Sequence, residues 1–199
     1  MRTIALLVLI IAMIGCNKPN RMNEKERNLI DSGDYNTPFR VLTIDNANDL
    51  KVLRTPCKDL NYEGDSAMIK KLAARLLSTM IAENGVGIAA PQIGISRNIF
   101  VFMRINQPNH PVEIAINPRI INKPNESICF EGDGCLSIPG QSGNTARYAW
   151  IEVEYLNIEG VTIRERLEGF SRTDDFTGII FQHEYDHLQG VLYTDKLID

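Results

Sequence analysis

The stretch "FQHEYDHLQG", residues 181–190, sets a glutamate beside the first of two histidines four positions apart. On a helix, positions i and i+4 share a face about one turn apart. His183 and His187 can therefore aim their imidazoles at one ion, with Glu184 one position round from the first. Neutral imidazoles bind metals, and a neighbouring carboxylate can take a proton from water on the metal. Ile179, Ile180 and Leu188 give the same helix an apolar face, so it is expected to be buried. Thr173 or Asp174 is the expected cap at its start, and Gly190 its end.

A catalytic metal site needs a third protein ligand and one open position. One known extension of the motif puts a third histidine six residues after the second; Gly190 fits that pattern, but Tyr193 stands where the histidine belongs. No glutamate follows Glu184, so the ligand has to lie upstream. His110 sits in a turn-like loop, "NQPNHPVE", and Cys57 is isolated after Pro56. Cys129 falls in a strand-like run, "SICF", as a small core residue would. Cys135 lies in "EGDGCLSIPG", where Gly132 and Gly134 let the backbone approach closely. A thiolate is a strong metal ligand, so Cys135 is the best candidate.

A second glycine-rich stretch, "GVGIAAPQIG" (85–94), is small and apolar except for Gln92. A primary amide in such a setting needs partners, and its N–H suits a developing oxyanion. Glycine at position 87 would let a peptide lie against the backbone.

The 199 residues are 44% hydrophobic and 23% charged, ordinary for one globular domain. The net charge of −4 gives no case for nucleic acid. Apolar residues from Met68 to Ile81 recur at three-four spacing, which predicts a helix from Asp65 to Asn84, capped by Asp65 and ended by Gly85. Residues 98–105 and 112–121 read as strands, the second interrupted at Asn117-Pro118, and 148–170 as a hairpin around "NIEG". The order predicts an α+β fold, mostly antiparallel sheets packed around the C-terminal helix that carries the HExxH motif.

The N-terminus is a separate matter. Arg2, an apolar run from Ile4 to Ile14 and then Gly15-Cys16 suit an export signal with a lipoprotein-type cleavage site. Residues 1–20 are read as signal peptide and anchor, 21–38 as a polar tether, and 39–199 as the catalytic domain. Membrane attachment through lipidated Cys16 is one expectation; a start at Met22, leaving a cytoplasmic protein, is the other.

"GVGIAAPQIG", "GCLSIPG" and "QHEYDHLQG", in that order, resemble the peptide deformylase family, as do the Asn117-Pro118 strand, "RYAWIEVEYLNIEG" and "GVLYTDKL". The resemblance covers about residues 40–199. It implies metal-assisted removal of the formyl group from N-formylmethionyl peptides, with Fe(II) as the ion, replaceable by zinc, nickel or cobalt. It implies Cys135, His183 and His187 as metal ligands and Glu184 as general base and acid. Gln92 and the backbone N–H of Leu136 would face the oxyanion. Ile179, Val86 and Gly87 would wall the methionine pocket, and Arg147 matches an arginine near the peptide path. Asp133 departs from the family's usual glutamate, and "EGFSRTDDFTG" (168–178) departs from its usual run. A non-catalytic, membrane-tethered binder of formylated peptides is the alternative.

Overall fold

The computed structural model describes residues 21–198. Cys16 and the rest of the proposed signal lie outside the described residues. Four helices, α1 (Glu24–Asp31), α2 (Ala47–Leu53), α3 (Tyr62–Ala82) and α4 (Thr177–Leu188), frame seven strands among these residues. The strands are β1 (Gly87–Ala89), β2 (Ile99–Met103), β3 (Val112–Asn122), β4 (Ile128–Cys135), β5 (Ile138–Arg147), β6 (Trp150–Leu156) and β7 (Thr162–Glu168). β1-β2-β3-β6-β7 form one sheet and β4-β5 a second, every pairing antiparallel.

β2, "IFVFM", is buried along nearly its whole length, because helices cover both faces of the sheet. Strand side chains alternate, so Ile99 and Val101 join Ile69, Leu72, Leu76 and Met80 of α3. Phe100 and Phe102 point the other way and meet α4. Phe181 of α4 sits edge-on to both, with ring centroids 4.9 and 5.3 Å away. Burying such a ring contributes about 1.5–3 kcal/mol, so Phe181 anchors the helix that carries the histidines.

β3 kinks where the sequence breaks at Asn117-Pro118. Asn117 adopts φ +51°, and its side-chain amide exchanges hydrogen bonds with Leu60, accepting from its N–H at 2.8 Å and donating to its carbonyl at 3.0 Å. An asparagine tolerates this left-handed backbone better than most residues.

Three local expectations are corrected. α3 is capped by Asn61, which accepts from the Gly64 N–H at 3.0 Å. Asp65 is instead buried at a kink, accepting from the Met22 N–H and from Arg27. At the other end Asn84, not Gly85, takes the left-handed position (φ +53°). α4 starts later than its cap signals suggest: Asp175 accepts from the Thr177 N–H at 2.8 Å, and neither Thr173 nor Asp174 caps the helix.

The largest departure is at 21–38, read as a polar tether. Asn23 and Glu26 form a reciprocal capping box that starts α1. Met22, Ile30 and Phe39 are buried in the α3 core. Arg75 donates to the Ile30 carbonyl at 2.8 Å and stacks on Phe39. This segment is part of the folded domain because Met22, Leu29 and Ile30 pack into the α3 core, while Tyr35 stays exposed.

Candidate active site

Cys135 ends β4, and Leu136 and Ser137 turn the chain into β5. The Cys135 Sγ lies 3.2 Å from His187 Nε2 on α4. The ligand atoms of Cys135, His183 and His187 all lie within 4.8 Å of one another, the one such group found among the described residues. The expected ligand set is therefore brought together.

The electrostatics suit a cation. Burial alone would push the Cys135 thiol up, but the imidazoles of His187 and His183 pull it well below its ordinary value. His183 is fully enclosed, which disfavours its charge; the Asp133 carboxylate and the Cys135 sulfur nevertheless raise its pKa well above the ordinary value. A bound metal can take the place of the protons that hold this cluster together. His183 Nδ1 is 3.0 Å from Asp133 Oδ1, which leaves Nε2 for the ion. Tyr193, where another motif would have a histidine, lies nearly parallel to the His183 ring, 6.4 Å away.

Asp133 reaches inward because β4 bulges just before it. The register shifts between Phe130 and Asp133, and Gly132 between them adopts φ +68°, which most side chains resist. The buried carboxylate accepts from Thr145 Oγ1 at 2.9 Å and from Arg147 Nη2 at 2.6 Å. Burial would raise its pKa, but His183 and Arg147 hold it well below the usual carboxylate range. The shorter acid thus still reaches both partners.

Arg147 is not on the peptide path. It is 1% exposed, and its guanidinium is divided between Asp133 and Asp186, with Nη1 donating to Asp186 Oδ2 at 2.6 Å. It ties β4 and β5 to α4. Asp186 also pairs with Lys196 at 3.3 Å, so it is a partner in this link and no free helix charge.

Glu184 points at the β1 backbone. A Cβ on Gly87 would come within 2.5 Å of Glu184 Oε1, so only glycine leaves room for the acid. Glu184 Oε2 is buried without a hydrogen-bond partner among the described residues. Burial raises its carboxyl to about 7; the two imidazoles oppose the rise, and Cys135 and Asp133 add to it. Gln92 is fixed by its oxygen, which accepts from the Ala89 N–H at 2.8 Å. Its Nε2 is then turned to Ser137 Oγ at 3.3 Å and Cys135 Sγ at 3.6 Å.

These groups open on a cavity of about 460 Å³. Val86, Gly87, Gln92, Leu136 and Ile179 all line it. Phe130, Phe176 and Arg172 line it too. The sequence reading missed them, since nothing local marks a strand phenylalanine or a loop arginine as facing a site. Cys57 and Cys129 are free and outside the site; burial pushes the Cys57 thiol up to about 12.

Comparison with known proteins gives the chain's family. The family model for polypeptide deformylase matches residues 40–199. A peptide deformylase of Chloroflexus aggregans is 37% identical over 172 residues, covering 80% of this chain and 87% of that protein. The crystal structure of peptide deformylase from Thermotoga maritima is similar with a TM-score of 0.68 and 33% identity, over 81% of this chain and 98% of that one. A class I type b peptide deformylase from Acinetobacter baumannii, solved with Met-Ala-Ser bound, is similar with a TM-score of 0.62 and 27% identity, over 81% and 99% of the two chains.

Proposed function

The chain belongs to the peptide deformylase family, whose reaction is the metal-dependent removal of an N-terminal formyl group, and from that premise we propose how its own side chains perform it. Cys135, His183 and His187 hold one divalent ion, with Asp133 orienting His183 from behind. The ion is Fe(II), which zinc, nickel or cobalt can replace; a donor set of one sulfur and two nitrogens suits all of these. When bound it supplies a Lewis acid that polarises the formyl carbonyl and acidifies water beside it.

The residues do the rest. Glu184, with a free oxygen and a carboxyl near 7, takes the proton from the attacking water and returns it to the leaving amine. The Gln92 amide is locked by Ala89, so its N–H needs no reorientation to meet the oxyanion. The Leu136 backbone N–H, next to Cys135 on the cavity wall, supplies a second donor. Val86 and Gly87 flank the peptide on one side. Ile179, with Phe130 and Phe176, receives the methionine side chain on the other. The substrate is an N-formylmethionyl peptide; the relative that holds Met-Ala-Ser supports this choice.

One observation carries the reading: the Cys135 sulfur and both imidazoles converge beside an unpartnered, buried Glu184. Iron-loaded protein with formyl-Met-Ala-Ser tests it. Glu184→Ala should keep the metal and lose about 10²- to 10⁴-fold in kcat. Undiminished turnover would rule out Glu184 as the base, and formyl-peptide affinity without any wild-type turnover would favour a binding protein. For localisation, the proposal is a lipoprotein anchored through Cys16, with a start at Met22 as its rival. An acylated N-terminus at Cys16 by mass spectrometry supports the anchor, and an intact chain from Met22 refutes it.

A further inference from the structure

The loop between β7 and α4 brings a cation to the cavity. Arg172 lines it alongside Phe130, Phe176, Ile179 and Ile180. Its guanidinium lies 5.6 Å from the Phe130 ring centroid and 6.0 Å from that of Phe176. Nε and Nη2 both donate to the Gly132 carbonyl, at 3.0 and 2.5 Å. That carbonyl is presented by the β4 bulge that also turns Asp133 inward. A guanidinium has five N–H donors, so about three remain after the pair on Gly132. No carboxylate among the described residues pairs with Arg172, whereas Arg147 is held by Asp133 and Asp186.

Arg172 is exposed at the edge of the cavity, so its remaining N–H groups meet water there and are open to a ligand acceptor, whereas the methionine sulfur is only a weak one. Methionine sulfoxide keeps the same skeleton and adds a polar oxygen at the sulfur. Burying that oxygen against hydrocarbon without a donor is unfavourable. A guanidinium beside the aromatic rings removes the mismatch, and its fixed plane can distinguish the two sulfoxide epimers.

We propose that Arg172 makes this enzyme accept formyl peptides whose first residue is methionine sulfoxide, by donating to the sulfoxide oxygen. The proposal rests on the reading of the cavity as a formyl-methionyl site and names a further substrate class for it. Arg172 is then a specificity-determining residue carried by the segment that departs from the family's usual run.

The test compares C-terminally amidated formyl-Met-Ala-Ser with its Met-sulfoxide counterpart on the metal-loaded full chain. Amidation removes the peptide carboxylate as a competing partner for the arginine. A hydrocarbon pocket discriminates against an added oxygen by about a hundredfold. The wild-type kcat/KM ratio, sulfoxide over thioether, is therefore expected above about 0.1, falling at least about tenfold in Arg172→Leu, chiefly through KM. Arg172→Lys, which keeps a donor, should hold most of the ratio. A wild-type ratio below about 0.1, or an Arg172→Leu ratio within about twofold of wild type, overturns the proposal. Should the leucine variant fail to fold, Arg172→Ala is read by the same ratio, and a wild-type ratio below about 0.1 overturns the proposal without either variant. Absence of wild-type turnover on the thioether peptide is a separate outcome, which overturns the deformylase reading itself.

Discussion

Two arginines in this protein are each held between two carboxylates, and they serve different ends. Arg147 joins Asp133 of β4 to Asp186 of α4, and Asp133 passes the link on to His183. Arg104, just past β2, joins Glu113 of β3 to Glu165 of β7, with the Tyr155 hydroxyl between the two acids. Both guanidiniums are buried, at 1% and 6% side-chain exposure. The acids differ: Asp133 and Asp186 are 5% and 13% exposed, Glu113 and Glu165 33% and 23%. One cluster bridges the two elements that carry the metal ligands. The other spans β3 and β7 across the intervening β6, all strands that one sheet already holds together. A buried ion pair alone therefore does not mark function; what it connects does.

Replacing each arginine by methionine separates the two most sharply. Arg147→Met leaves Asp133 and Asp186 without the guanidinium they share and should cost about 3–5 kcal/mol in urea unfolding. Arg104→Met should cost about 1–2 kcal/mol, because its acids can turn to water. Equal losses would break the comparison. The pH dependence of the metal-free protein comes next in size. The Glu184 carboxyl is raised from 4.5 to about 7, so the folded chain binds this proton more tightly than the unfolded one. The stability it contributes is whole below its ordinary pKa and is lost as pH rises through about 7. Between about pH 4 and pH 8, wild type should lose about 3 kcal/mol relative to Glu184→Gln. Parallel stability curves would contradict the burial argument. The smallest effect is on metal affinity: Asp133→Asn should weaken it about 10- to 100-fold, while Glu165→Gln leaves it unchanged. Competition with a chromophoric chelator measures both.

What could be read in advance follows from the range of the interactions. His183, Glu184 and His187 are local, since their spacing matches the helix repeat whatever surrounds them. Cys135 emerged because every other upstream ligand sat in a less suitable place. The partners of Arg147 lie 14 residues back and 39 ahead, on other elements, so no run of sequence announces them. Its pairing displaced it from the peptide path. α1 was missed for a different reason: its composition is that of a linker, and only the Asn23–Glu26 capping box signals a helix. The rest of the segment is polar enough to read as tether, and only its packing on α3 shows otherwise. The helix caps failed where a kink at Asp65 and a late start at Thr177 let tertiary contacts override the nearest capping side chain.

X-ray absorption of the zinc-loaded protein tests the central claim most directly. The account predicts one sulfur at about 2.3 Å and two imidazole nitrogens at about 2.0–2.1 Å in the inner shell, with the sulfur lost in Cys135→Ser. An inner shell of nitrogen and oxygen alone in the wild type would contradict it.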